Sequence, residues 1–141
     1  MRVKFKKLNA TAVAPKYAKP GDAALDLTAT SKEYDSDTGN LVFGTGLAAE
    51  IPEGYVGLLF PRSSVVKTGL ILGNGVGVLD SSFRGEIKAV FNTGARPVRN
   101  YEVGDRVAQL IILPFPKVEP EMVDELSTTE RGTGSFGSTG V

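Results

Sequence analysis

Gly69-Leu-Ile-Leu-Gly-Asn-Gly-Val-Gly-Val-Leu-Asp-Ser-Ser-Phe-Arg-Gly-Glu86 sets two short apolar runs, Leu70–Leu72 and Gly77–Leu79, on either side of a glycine-punctuated turn. Two β-compatible runs around a Gly-Asn-Gly turn read as a hairpin, and a chain built from such units is all-β. Glycine lets the main chain take left-handed conformations and lets a ligand approach the bare backbone, while Leu70, Ile71, Leu72, Val76, Val78 and Leu79 keep the walls dry. One carboxylate, Asp80, stands at the end of the second run. Such a surface suits a flat ring such as a nucleobase.

Outward from this stretch the same texture repeats. Glycine accounts for 17 of 141 residues, against a usual share of about 7%, and it falls between short β-branched runs. Strands are expected at Val3–Leu8, Leu25–Thr30, Leu41–Phe43, Leu47–Ile51, Tyr55–Phe60, Leu70–Leu72, Gly77–Leu79, Glu86–Asn92, Val98–Glu102 and Arg106–Pro114. Turns are expected at Lys19-Pro-Gly, Pro52-Glu-Gly and Val103-Gly-Asp. The one helical segment expected is a turn or two at Ser63–Thr68, capped by Ser63 and stopped by Gly69. The second half of Arg106–Pro114 is apolar almost throughout, so that strand is expected to be buried on both faces, in the core or against another subunit. Many short strands in one small domain give a sandwich, jelly roll or barrel.

Composition narrows the chemistry. Lys+Arg and Asp+Glu both number 16, so there is no electrostatic footprint for a nucleic-acid backbone or an anionic membrane. Cysteine and histidine are absent, which removes thiol nucleophiles, disulfides and the usual zinc ligands and imidazole base. Carboxylates, hydroxyls, amines, arginine or a hard metal remain. The start, Met1-Arg-Val-Lys-Phe-Lys-Lys-Leu8, lacks the apolar core of a secretory signal, and no run approaches the roughly 18 apolar residues of a membrane span, so a cytoplasmic location is expected.

After Pro114, Pro116 and Pro120 the chain leaves as a polar extension. Its last eleven residues, Arg131 to Val141, hold four glycines, four hydroxyl residues, one arginine and one aromatic, Phe136. On composition this is a disordered tail. Arg131 followed by successive amides also makes a nest for phosphate oxygens, and a lone Phe136 is an odd choice for a solvated linker; a lid that orders over a polyphosphate explains both.

Taken together these segments resemble the dUTPase family, the trimeric enzymes that hydrolyse dUTP to dUMP and pyrophosphate. Five motifs of that family occur in order: Ala24-Leu-Asp-Leu27 after Pro20-Gly21, Pro61-Arg-Ser-Ser64, the Gly69–Glu86 stretch, Gly104-Asp-Arg-Val-Ala-Gln-Leu110, and Arg131-Gly-Thr-Gly-Ser-Phe-Gly-Ser-Thr-Gly140. The resemblance implies an all-β fold, a distorted jelly-roll barrel or sandwich with one short helix and an extended C-terminal arm: a single domain over residues 1–120 and an arm over 121–141 with a glycine-rich, phosphate-binding lid. It also implies a homotrimer with shared active sites, the tail reaching a site from a different subunit than Asp80.

The roles that follow are implied by the resemblance. Asp80 orients and polarises the water that attacks the α-phosphorus, which a carboxylate can do without histidine. Asn74 reads uracil with main-chain help from Gly77, Val78 and Leu79; uracil and cytosine differ by a carbonyl against an amine, so a site built for one leaves buried groups unpaired with the other. Phe83, where the family more often carries Tyr, lies under deoxyribose and denies room to a 2′-hydroxyl. Arg62, Ser63, Ser64 and Gln109 converge on the phosphates, Ser64 standing where relatives often have Gly. Lys88 lines the pocket. Arg131, Gly134, Ser135 and Phe136 close the site, with Phe136 stacked on the base. Asp26 holds Mg²⁺ through water, in keeping with a cation that retains its hydration shell and binds chiefly to phosphates; Asp22 is the alternative ligand.

The ligands implied are dUTP and dUMP, with no nucleic acid and no membrane, and the enzyme would limit uracil entry into DNA and supply dUMP. Two other readings compete. A dCTP deaminase of the same fold needs a glutamate five residues past the hairpin glycine, and counting from Gly85 reaches Val90, which cannot shuttle a proton. A nucleotide-gated regulatory protein would signal lid ordering to a protein partner, as for a chain of phage origin.

Overall fold

The computed structural model describes residues 1–93 and 99–135. Among these, ten strands and one five-residue 3-10 helix follow in the order β1 (Lys4–Lys7), β2 (Leu25–Thr28), β3 (Ser31–Asp35), β4 (Asn40–Gly44), β5 (Leu47–Glu50), β6 (Tyr55–Pro61), the helix (Ser63–Lys67), β7 (Leu70–Leu72), β8 (Gly77–Leu79), β9 (Lys88–Thr93) and β10 (Arg106–Pro114). They form two four-stranded antiparallel sheets, β2-β10-β6-β8 and β3-β4-β9-β7, and a two-stranded ribbon of β1 with β5. One buried cluster takes side chains from both larger sheets: Leu27, Leu59, Leu79, Val107 and Leu110 from the first, and Leu41, Phe43, Leu70, Leu72 and Phe91 from the second. Two antiparallel sheets packed on one core agree with the all-β sandwich, jelly roll or barrel expected from the strand pattern, and with the jelly roll that the family resemblance implies.

Three expectations are corrected. Leu70–Leu72 and Gly77–Leu79 do not pair as a hairpin. β7 hydrogen-bonds to β9, with Leu72 opposite Phe91, and β8 to β6, with Leu79 opposite Gly57. The turn between them is therefore an arch that crosses from one sheet to the other. Alternation explains the outcome: Leu70 and Leu72 on one limb and Gly77 and Leu79 on the other are the buried positions, and each three-residue limb finds longer strands to complete its ladder.

β3 was not visible as a strand in Ser-Lys-Glu-Tyr-Asp, because it is a charged edge strand whose pairing with β4 is set by a turn. In that turn Asp35 accepts hydrogen bonds from the Asp37 amide at 3.0 Å and from the Thr38 hydroxyl at 2.6 Å. The Thr38 hydroxyl, followed by the Asp37 amide, holds the Asp35 carboxyl below its ordinary range. The stabilisation is thus in place above the ordinary carboxylate pKa and is lost as the pH falls through the lowered value.

The third correction concerns Val98–Glu102. Val98 lies outside the described residues, and Arg99–Glu102 form no strand; Tyr101 turns its ring into the core instead. β10 matches its expected bounds, and within this chain the core does not cover its second half, which leaves another subunit as the expected cover. Val107, Ala108 and Leu110 are buried, whereas Ile111 and Ile112 are half-buried and Leu113 is exposed, because the last residues run past the end of β2 and pair with β6 alone. Residues Phe115–Ser135 carry no strand, and Val118, Met122, Val123 and Leu126 are exposed. No helix among the described residues is long and apolar enough to cross a membrane.

Candidate active site

The arch Gly73–Val76 is closed by its own backbone. The Gly75 amide donates to the Leu72 carbonyl at 2.9 Å and the Val76 amide to the Asn74 carbonyl at 2.7 Å, while the Gly73 amide donates to Val90 across the sheet at 2.8 Å. Gly75 sits at φ +67°, a conformation that a side chain would strain, so the turn needs glycine there. The arch leaves Asn74 exposed at the rim, and β8 presents Val78 outward beside buried Gly77 and Leu79.

Past β8 the chain makes a tight turn, the Phe83 amide donating to the Asp80 carbonyl at 3.1 Å. Arg84 clamps it, donating through Nη1 to the carbonyls of Ser81 at 2.6 Å and Phe83 at 2.8 Å. The Phe83 ring folds back over Gly85, so closely that a Cβ on Gly85 would stand 2.6 Å from the ring tip. Asn74, Gly77, Val78, Leu79, Asp80, Phe83 and Lys88 all line one recess of about 220 Å³. Among the described residues the Asp80 side chain makes no hydrogen bond or ion pair and is exposed to this recess.

Leu59, Glu86 and Ile87 also line the recess and were not singled out from the sequence. Glu86 accepts a hydrogen bond from the Gly46 amide at 2.8 Å and lies 3.6 Å from Lys88 Nζ. It fastens the floor of the recess to the β4–β5 turn, a contact forty residues away in sequence that no local pattern announces.

A second group gathers around Asp26. Its side chain is buried on β2, and its two oxygens each take a guanidinium: Arg62 Nε at 2.7 Å and Arg106 Nη1 at 2.9 Å. Gln109 stands opposite both Asp26 and Phe60 in the sheet register and donates to the Pro61 carbonyl at 2.9 Å. Asp22, Asp26, Arg62 and Gln109 line a recess of about 500 Å³. Ser63 is exposed at the first position of the 3-10 helix and does not cap it. Arg62 occupies the cap position in an extended conformation with no side-chain cap bond, so Ser63 stands inside the helix and not ahead of it. Ser64 Oγ instead pairs with the Tyr101 hydroxyl at 2.8 Å.

The structure thus brings the sequence-predicted residues together in two sets. Asp80 with Asn74, Phe83 and Lys88 forms one, and Arg62 with Asp26 and Gln109 the other, and the two recesses share no lining residue. The described part of the tail, up to Ser135, joins neither. Arg131 donates through Nε to the Gly134 carbonyl at 3.0 Å, closing a local turn, and Ser135 is exposed; Phe136 lies outside the described residues. Among the described residues no group of three or more His, Cys, Asp or Glu side chains is placed to hold a metal ion. Asp26 nevertheless fits a hydrated cation: each of its oxygens has a second lone pair to accept a metal-bound water, and Asp22 faces the same recess.

Comparison with known proteins places this geometry. The family model described as dUTPase matches residues 10–140. The chain is 48% identical over 132 residues to the deoxyuridine 5′-triphosphate nucleotidohydrolase of Desulfitobacterium hafniense, covering 90% of this chain and 87% of that protein. To the enzyme of the same name from Cutibacterium acnes it is 40% identical over 129 residues, covering 90% and 85%. Among solved structures it superposes with TM-score 0.83, at 29% identity and 99% of both chains, on a dUTPase of Staphylococcus bacteriophage 80alpha with dUPNHPP, described among phage dUTPases that control transfer of virulence genes. A mutant dUTPase from phage phi11 of S. aureus, described for its coordination of a structural Mg(II) ion, matches with TM-score 0.74 at 25% identity, covering 89% of this chain and 98% of that one.

Proposed function

The chain belongs to the dUTPase family and hydrolyses dUTP, and we propose that it does so by attack of an Asp80-held water on the α-phosphorus, releasing pyrophosphate and dUMP. The single observation that carries this reading is the 220 Å³ recess in which an unengaged carboxylate, Asp80, meets Asn74, bare β8 backbone and an aromatic ring. A carboxylate free of partners can accept a hydrogen bond from water and take its proton as the phosphorus–oxygen bond forms. Asn74 and the main chain of Gly77, Val78 and Leu79 read the uracil edge, and Lys88 lines the same pocket.

Phe83 serves as the platform under deoxyribose, held in place by the missing side chain of Gly85. Gly85→Ala should push the ring into the recess with no backbone strain. Discrimination between dUTP and UTP, measured as a ratio of kcat/KM, should fall about tenfold, with the circular dichroism spectrum unchanged. An unaltered ratio would remove Phe83 from sugar selection.

Arg62, Ser63, Ser64 and Gln109 take the phosphate chain, and Arg62 is oriented by two contacts, its Nε donating to Asp26 at 2.7 Å and its Nη1 to the Arg106 carbonyl at 3.4 Å. Asp26, through water, and Asp22 would hold a Mg²⁺ ion beside the phosphates, where it would supply neutralisation of the charge that gathers on the leaving pyrophosphate. EDTA should therefore suppress pyrophosphate release and added Mg²⁺ restore it; full turnover in EDTA would exclude the metal. Arg131, Gly134, Ser135 and Phe136 close over the nucleotide. Because Asp80 and Arg62 line separate recesses of one chain, the complete site is assembled between subunits of a homotrimer, the jelly roll spanning residues 1–120 and the arm 121–141. Val118, Met122, Val123 and Leu126, exposed on the single chain, support an arm that packs on a neighbour. We place the enzyme in the cytoplasm, limiting uracil entry into DNA and supplying dUMP.

The direct test is pyrophosphate release from dUTP, dCTP, dTTP and UTP; equal rates on all four would end the uracil-specific reading. Similarity to the phage dUTPase described as controlling transfer of virulence genes favours a second, additional role, nucleotide-gated binding of a regulatory protein. Capture of such a partner that is indifferent to a non-hydrolysable dUTP analogue would dismiss the gate.

A further inference from the structure

Ser63 and Ser64 open a 3-10 helix of five residues, with Arg62 at its cap position, too short to be rigid by itself. Its far end is tied down: the Thr68 hydroxyl donates to the Val65 carbonyl at 2.7 Å and accepts from the Leu70 amide at 3.1 Å. Its near end is tied by the 2.8 Å pair of Ser64 Oγ with the Tyr101 hydroxyl. Tyr101 is 6% exposed, and its ring meets Phe43 edge-on with centroids 6.2 Å apart and Phe91 at 6.0 Å. Phe43 and Phe91 are both fully buried and lie 5.9 Å from each other. The Tyr101 ring thus belongs to the centre of the core, and its hydroxyl is the one polar atom of this three-ring cluster.

On the solvent side the pair borders a recess of about 210 Å³ whose walls include Arg62, Lys67, Arg99 and Arg106. The hydroxyls of Ser64, Thr68 and Tyr101 and one carboxylate, Asp105, complete the lining; Asp105 accepts from the Glu102 amide at 2.9 Å and Arg62 and Arg106 share Asp26, so cations outnumber acids here and the recess suits anionic oxygen. We propose that Tyr101 is a positioning residue for the triphosphate: its hydroxyl donates to Ser64 Oγ, locks the Arg62–Ser64 turn to the aromatic core, and leaves the Ser64 proton to donate to a phosphate oxygen. The inference rests on reading Arg62–Ser64 as the phosphate end of the site.

The test compares the parent with Tyr101→Phe, Ser64→Ala and the double variant, by steady-state hydrolysis of dUTP and by inhibition with deoxyuridine, which carries no phosphate. Tyr101→Phe keeps the ring and its packing. The expected result is a rise of about five- to tenfold in KM for dUTP with kcat changed less than about twofold, an unchanged inhibition constant for deoxyuridine, and a double variant no worse than either single one. A parental KM in Tyr101→Phe, effects of the two variants that multiply, or a deoxyuridine constant that rises in step would each overturn the proposal while leaving dUTP hydrolysis by the parent intact. A parent that does not hydrolyse dUTP would instead overturn the functional reading, and this proposal with it.

Discussion

Asp80→Asn is expected to lower kcat for dUTP by about 10³ while leaving KM within about threefold of the parent. The substitution keeps the size of the side chain and its ability to hydrogen-bond, and removes the capacity to take a proton from water. No other group lining the 220 Å³ recess can replace it: Glu86 is committed to the Gly46 amide and sits beside Lys88, and the remaining walls are apolar, amide or cationic. Because Asp80 makes no hydrogen bond or ion pair among the described residues, the loss of activity should come without a loss of stability, and the melting temperature should stay within about 1 °C of the parent. Pyrophosphate release by single-turnover quench separates this outcome from slow product release. A variant that hydrolyses dUTP at the parental rate would strip Asp80 of its role.

Asp26→Ala is expected to damage both folding and phosphate binding. The carboxylate is 9% exposed and is the shared partner of two guanidinium groups, with Arg62 23% and Arg106 47% exposed. Removing the partner of a fully buried charge costs about 3–5 kcal/mol. Solvent reaches Arg106 in particular, so the expected loss is smaller, about 2–3 kcal/mol, or roughly 5–10 °C in melting temperature. Arg62 loses the anchor on its Nε and with it the fixed direction of its outer nitrogens, so KM for dUTP should rise about tenfold or more. Asp26→Asn is the informative companion. It can still accept one guanidinium hydrogen bond, and should recover part of the stability without recovering the ion pair. If Asp26→Ala melts with the parent and binds dUTP normally, the double ion pair has no structural weight and Asp26 acts toward the metal alone.

Much of the architecture was legible because strand signals are local. β6, β7, β8 and β10 fall within one residue of their expected bounds, each with Gly or Pro at or next to one of its ends. β3 escaped because an edge strand needs no apolar face; what fixes it is the Asp35 turn and a ladder to β4. The site was legible by residue type but not by grouping. Asp80, Asn74 and Phe83 lie within ten residues and necessarily stay close, whereas the meeting of Asp26 with Arg62 and Arg106 spans strands 36 and 80 residues apart. Tyr101 read as one apolar residue of a strand, and nothing in its neighbourhood pointed to Ser64.

By itself the sequence determined an all-β chain, the glycine-rich turn that bares its backbone, and a chemistry left to carboxylates, hydroxyls, amines, arginine or a hard metal, since histidine and cysteine are absent. These follow from side-chain identity and from a two-residue period that any short segment displays. Only the tertiary structure decided that the two limbs of the turn join different sheets, that Asp26 binds two arginines at once, and that the Arg62–Ser64 turn is tied to a core tyrosine. Those are matters of long-range register, where each pairing is chosen by what the rest of the core leaves open, and no local window of sequence contains that information.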